Sequence, residues 1–162
     1  MDYRTYVEHV RADGDRLASE VDGHPDLAVP SCPGWTLRDL ANHVAEVYEH
    51  KIVCTQLGRQ PDPWPPAWPA DRDPVEWFRD AHGRILEMFD AHGPDDPSAT
   101  WWPPDQSVGF WARRMAQETA VHRADADLAV DRAPVIDPDL ATDGVDEILV
   151  IMLAGDWSDD PA

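Results

Sequence analysis

Five prolines fall within the eleven residues from Arg59 to Pro69, and neither a helix nor a central strand can run through them. Each proline fixes φ, lacks an N–H donor and clashes with the preceding helical turn. A second proline-broken stretch runs from Asp95 to Gln106, and Gly93-Pro94 and Ala133-Pro134 add two further stops. The chain is thereby divided into helix-length segments. Their apolar residues recur at helical spacing, and no convincing strand pattern appears.

The first segment predicts a helix from Tyr3 to Val21, with Tyr6, Val10, Leu17 and Val21 on one face and Gly23 as its C-cap. Thr36 opens a second helix as N-cap, with Asp39 at N3 and Trp35 placed to staple onto Leu40. It should run to Leu57 and bury Leu37, Leu40, Ala41, Val44, Val47 and Tyr48. Asp73-Pro74-Val-Glu76 supplies an N-cap, a proline at N1 and an acid at N3 for a third helix. Trp77, Phe78, Ala81, Ile85, Leu86, Met88 and Phe89 form its core face, and Gly93-Pro94 closes it. A fourth helix starts at Ser107 or Val108. A shorter one is expected over Pro138 to Leu153, with Val145, Ile148, Leu149 and Met152 facing inward. The expected fold is all-α: a four-helix bundle with an additional short C-terminal helix, one domain over residues 1–155. Residues 156–162 read as a tail or a truncated linker.

Thirteen basic against 32 acidic residues give a net charge of −19. Nucleic acid and anionic membrane surfaces both require a basic face, so both are excluded as partners. No apolar run approaches the ~20 residues needed to span a bilayer. Met1-Asp-Tyr-Arg-Thr-Tyr6 lacks the apolar core of a signal peptide. Cys32 and Cys54 are too few for a disulfide framework, so a reducing cytoplasm is expected. Lys51 is the only lysine, while Arg, Ala, Asp and Pro abound, a bias typical of a GC-rich genome.

Candidate chemistry concentrates in the fourth helix. Trp111, Met115, Ala126 and Ala129 define an apolar stripe, and at about 100° per residue Glu118 and His122 fall in the middle of it, one turn apart. An ionised carboxylate turned toward a core requires compensation. Either a divalent cation accepts both side chains, or Glu118 and His122 form a buried pair with no metal. A catalytic metal usually has three protein ligands, and His43 and His50 on the second helix are the candidates for the third. They lie roughly 10 Å apart along the axis, and spacing alone does not choose between them.

Two longer motifs carry more information. Val29-Pro-Ser-Cys-Pro-Gly-Trp-Thr-Leu-Arg-Asp-Leu-Ala-Asn-His43 and Trp111-Ala-Arg-Arg-Met-Ala-Gln-Glu-Thr-Ala-Val-His-Arg-Ala-Asp125 resemble the signature of the mycothiol-dependent maleylpyruvate isomerase family's N-terminal domain. The resemblance covers nearly the whole chain. It implies a DinB-like helical bundle holding a divalent metal, usually zinc, through His43, Glu118 and His122. It also implies mycothiol, the low-molecular-weight thiol of actinobacteria, as cosubstrate. The three ligands would act in catalysis through the bound metal.

A thiol entering the open coordination position would ionise and attack a small electrophile, by S-transfer or by adding and leaving in an isomerisation. Asp125 is placed to orient an imidazole or to pair with Arg123. Arg113 and Arg114 are placed either to meet carboxylates of substrate or thiol, or to form ordinary ion pairs on a solvated face. Arg114 and Trp35 are carried forward as candidate contacts to the thiol cofactor. Cys32 precedes a helix N-terminus, which favours its thiolate, though a packed loop residue is the simpler role. Cys54 lies three turns from His43 and cannot share its ion. Trp64, Trp68, Trp101 and Trp102 either wall a ligand pocket or pin the long loops to the bundle. Family members usually carry a further C-terminal domain, so the isomerase reaction itself transfers poorly to this chain. The expected activity is that of a mycothiol-dependent transferase or isomerase, with homodimerisation left open. The alternatives are a non-catalytic metal- or ligand-binding module and a metal-free dimerisation bundle.

Overall fold

A computed structural model describes residues 1–66 and 72–153. They form α1 (Tyr3–Gly23), α2 (Leu37–Leu57), α3 (Pro74–Ala91), α4 (Val108–Ala129) and α5 (Pro138–Glu147), which continues into a π-helical segment, Ile148–Leu153. Among the described residues there is no strand, only isolated bridges pairing Ala28 with Thr36 and Pro97 with Ser107. The all-helical expectation holds, and no described helix is long and apolar enough to cross a membrane. Trp68 and residues 156–162 lie outside the described residues.

Local chemistry starts each helix where the sequence places it. The Thr36 hydroxyl accepts from the Asp39 N–H, and the Asp39 carboxylate accepts from the Thr36 N–H at 2.8 Å, a reciprocal box. Asp73 accepts from the N–H groups of Val75 and Glu76 ahead of α3. Ser107 accepts from the Phe110 N–H ahead of α4. The end of α1 differs from expectation. The helix runs through Gly23 and is capped by His24, whose φ is −147°. A cap at negative φ has no need of glycine.

Ion pairs record the helix directions. Asp13 pairs with Arg123, Arg16 with Asp127 and Glu20 with Arg132, so α1 and α4 run parallel. Arg38 meets Asp73 and Arg84 meets Glu49, so α2 and α3 also run parallel. His43 lies beside His122 while Tyr48 bonds Thr119, which makes α2 antiparallel to α4. The proline-rich connection after α2 must therefore return to the other end of the bundle, roughly 30 Å away. Alpha-1 packs most closely on α4, and α2 on α3, whereas α2 and α4 approach less closely. The second long loop is tied down by tryptophan. The Trp111 indole N–H donates to Ser98 Oγ at 3.0 Å and to the Ala99 carbonyl at 3.2 Å, and Trp101 packs edge-on against Phe110.

The C-terminal helix turns a different face inward from the one its hydropathy suggests. Leu140, Glu147 and Ile151 are buried, while Val145, Ile148 and Leu149 are half exposed or more and Met152 is partly buried. Leu140, Gly144, Glu147 and Ile151 form the inward stripe, at spacings of four, three and four. Gly144 is there because α5 presses on α4: a Cβ at this position would sit 2.6 Å from Gln117 Oε1. Glu147 is there because its carboxylate pairs with Arg114. The apolar residues left outside line an open groove of about 400 Å³ with Val121 and Ile136.

His82 illustrates how tightly α1 meets α3. Its ring forms a trio with those of Tyr48 and Phe78, 6.0 Å from each, and Nε2 donates to the Val10 carbonyl at 3.1 Å. A Cβ on Gly14 would fall 2.2 Å from that nitrogen. The ring has no room to retreat, so Gly14→Ala should cost about 1–3 kcal/mol in urea unfolding. Burial depresses the His82 pKa, so the folded ring stays neutral where the unfolded one protonates. Stability from this group is present above the unfolded value near 6.5 and is lost as pH falls below it. Between pH 7.5 and 5.5 the wild type should lose more unfolding free energy than His82→Gln.

Candidate metal centre

The buried face of α4 is centred on Thr119 and Arg123, so Glu118 and His122 sit on its flank toward α2 rather than at its middle. His43 projects from α2 onto the same spot. His122 Nε2 lies 3.1 Å and His43 Nε2 3.5 Å from Glu118 Oε1, and the two imidazoles meet edge-on with centroids 5.0 Å apart. One ligand atom from each of the three residues lies within 4.8 Å of the others. His43 has the most exposed side chain, at 37 %, so the cluster opens to solvent on that side.

The loop before α2 closes the far side. Val29 and Trp35 bond across it, and Gly34 takes the left-handed turn at φ 88° that a side chain would strain. This folds Ser31 against Asp125, its hydroxyl donating to Oδ1 at 2.6 Å, and brings the Trp35 ring 5.1 Å from that of His43. Asp125 Oδ2 in turn accepts from His122 Nδ1 at 2.9 Å. Between the two expected partners, Asp125 therefore takes His122, while Arg123 pairs with Asp13 and Asp127.

The electrostatics follow from these contacts. Burial alone would raise the Glu118 carboxyl, but hydrogen bonds from His122 and His43 and the Arg114 guanidinium hold it far below the usual range. Burial works against a charged His122, yet its bonds to Asp125 and Glu118 push it up to about 9. Two imidazole nitrogens and a carboxylate oxygen thus converge, with the second nitrogen of His122 already committed to a carboxylate. That donor set and its outer support fit a divalent transition metal with one side left open.

Arg114 reaches the site from behind. Its guanidinium donates to Glu118 Oε2 at 2.5 Å and also pairs with Glu147, so protein carboxylates occupy both of its arms. Arg113 is likewise taken, by Asp143 and Asp146. His50 does not join the cluster. Its Nδ1 lies 3.2 Å from Lys51 Nζ and 3.6 Å from Cys54 Sγ, and its ring meets Trp64 at 4.9 Å. Burial pushes His50 down to about 4 and the Cys54 thiol up to about 11. Cys32 departs from the helix-dipole expectation: burial and the nearby Asp125 carboxylate raise its pKa and disfavour the thiolate. Ser31 and Glu147 went unnoticed in the sequence. Ser31 is one of many loop serines, and nothing in spacing says that Glu147 faces Arg114.

Residues 7–127 match the family described as the mycothiol maleylpyruvate isomerase N-terminal domain. No curated protein and no solved structure matches the chain.

Removing Arg114 would leave Glu147, whose side chain is 2 % exposed, without its counter-charge. Arg114→Met should destabilise the fold by about 3 kcal/mol in urea unfolding. A double variant with Glu147→Gln should recover a large part of that loss.

Proposed function

The chain belongs to the mycothiol maleylpyruvate isomerase N-terminal domain family, and on that premise we propose that it is a metal-dependent enzyme that uses a low-molecular-weight thiol, mycothiol, against a small electrophile. The observation carrying this reading is the convergence of His43, Glu118 and His122. These three residues would hold the ion, and a two-histidine, one-carboxylate set suits zinc. When bound, such an ion supplies acidity toward an incoming thiol, so that it ionises at neutral pH.

The chain's own residues prepare that chemistry. Asp125 holds the proton on His122 Nδ1, so that Nε2 is the nitrogen that would give up its proton and offer its lone pair to an arriving ion. Ser31 fixes Asp125, and Arg114 draws Glu118 Oε2 away while Oε1 stays turned to both histidines. Trp35 packs against His43 and restricts the rotation of its ring. Whether the thiol is transferred or leaves again after isomerisation depends on the electrophile, since a thiolate serves either route.

Metal content by mass spectrometry, on protein purified without a histidine tag, tests the reading. Close to one transition-metal ion per chain is expected, and none in His122→Ala. Absence of metal from the parent even after incubation with zinc would overturn it. Asp125→Asn should retain the fold and weaken zinc binding by about 10–100-fold in chelator competition. Electrophile consumption should require mycothiol in the assay.

A further inference from the structure

The only lysine of this acidic chain stands on the same helix face as His43, and no mechanism above uses it. His43, Val47 and Lys51 recur at intervals of four along α2, which places Lys51 two turns, roughly 12 Å, from His43 along the axis. Side chains on a helix lean toward its N-terminus, and for Lys51 that is the direction of His43. Facing it from α4, which packs on α2 less closely than on α1, are Glu118 and Arg114, close enough for both charges to act on its ammonium.

Lys51 is unlike the arginines around the site. Arg113, Arg114 and Arg123 each meet a carboxylate. Lys51 has none within ion-pair distance among the described residues. Its neighbours are His50 Nδ1 at 3.2 Å and the face of Trp111 at 4.8 Å. Burial depresses its pKa to about 8, with Glu118 opposing the shift and Arg114 adding to it. His50 stays neutral and Cys54 stays a thiol at pH 7, so neither supplies the missing negative charge. A partly desolvated cation without a counter-ion is costly, and an arriving anion relieves that cost. The face of the buried Trp111 ring lies against it and keeps the local dielectric low, which strengthens the attraction.

We propose that Lys51 is the anion-binding end of the α2–α4 seam, taking a carboxylate or comparable oxyanion of a substrate whose other end reaches His43, Glu118 and His122. This rests on the metal and thiol reading, and it narrows the substrate class to small electrophiles that carry an anionic group. Arg114, whose charge also acts on Lys51, is held by Glu118 and Glu147. Lys51 thereby becomes the determinant of charge preference.

The test uses cobalt-loaded protein and a length series of ω-mercaptocarboxylates, each beside its mercaptoalcohol of equal length. The thiolate-to-cobalt absorption band reports binding. At one chain length the carboxylate should bind about tenfold or more tighter than its alcohol. That advantage should vanish in Lys51→Met and largely persist in Lys51→Arg, while the alcohols bind all three proteins alike. Equal affinity of acid and alcohol at every length would overturn the proposal, as would an advantage that survives in Lys51→Met. If neither acids nor alcohols perturb the cobalt spectrum, the metal and thiol reading itself fails. Binding of alcohols with no acid preference would fail Lys51 alone.

Discussion

Arg123 is sealed from solvent, and its full set of carboxylate partners assembles only when α1 and α4 lie side by side in one register. Asp13 from α1 and Asp127 from one turn along α4 hold the guanidinium, and Arg16 reaches back to Asp127. A buried charge that loses its partners costs several kcal/mol, far more than a misplaced alanine. The network therefore decides the rotation of α4 about its axis. With Arg123 and Thr119 turned inward, Glu118 and His122 come to the flank, where α2 can bring His43 against them. The site is a consequence of where a structural charge had to go.

The same accounting of buried charge runs through the site. Glu147 pairs with Arg114, Arg114 with Glu118, Glu118 with both imidazoles, His122 with Asp125, and Asp125 with Ser31. Each partner restricts the rotamer of the next, so the three candidate ligands are held by the fold before any ion arrives. α5 belongs to this chain of contacts. Its inward face carries a glutamate and a glycine because Arg114 and Gln117 await them, and its more apolar residues are left outside. Lys51 stands apart from this compensation, as the cation beside the site that no carboxylate of the described chain meets.

The helices were legible because their signals are local. A capping residue, a proline at N1 and an apolar repeat of 3.6 act within a few residues of one another, and α2, α3 and α4 begin where Thr36, Asp73 and Ser107 place them. Glu118 and His122 could be paired from spacing, since one helical turn separates them. The choice of His43 over His50 could not, because both are on α2 and only the antiparallel packing of α2 on α4 selects one. The resemblance of the two motifs supplied it, and the geometry brings His43 to Glu118 and His122. α5 was misread for the converse reason. Hydropathy ranks Val145 and Ile148 above Gly144 and Glu147, but close helix contact and a buried ion pair outweigh that ranking.

The sequence by itself determined that this chain is helical, where its helices start, that proline-rich segments link them, and which two residues of α4 form a pair. Those properties arise from backbone sterics and from hydrogen bonds between near neighbours. Only the tertiary structure decided the parallel pairing of α1 with α4, the face that α5 turns inward, the engagement of both arms of Arg114 and the position of Lys51, which meets no carboxylate among the described residues. The first three depend on compensating a charge with a partner remote in sequence, up to 112 residues away for Glu20 and Arg132. No local pattern encodes such a distance.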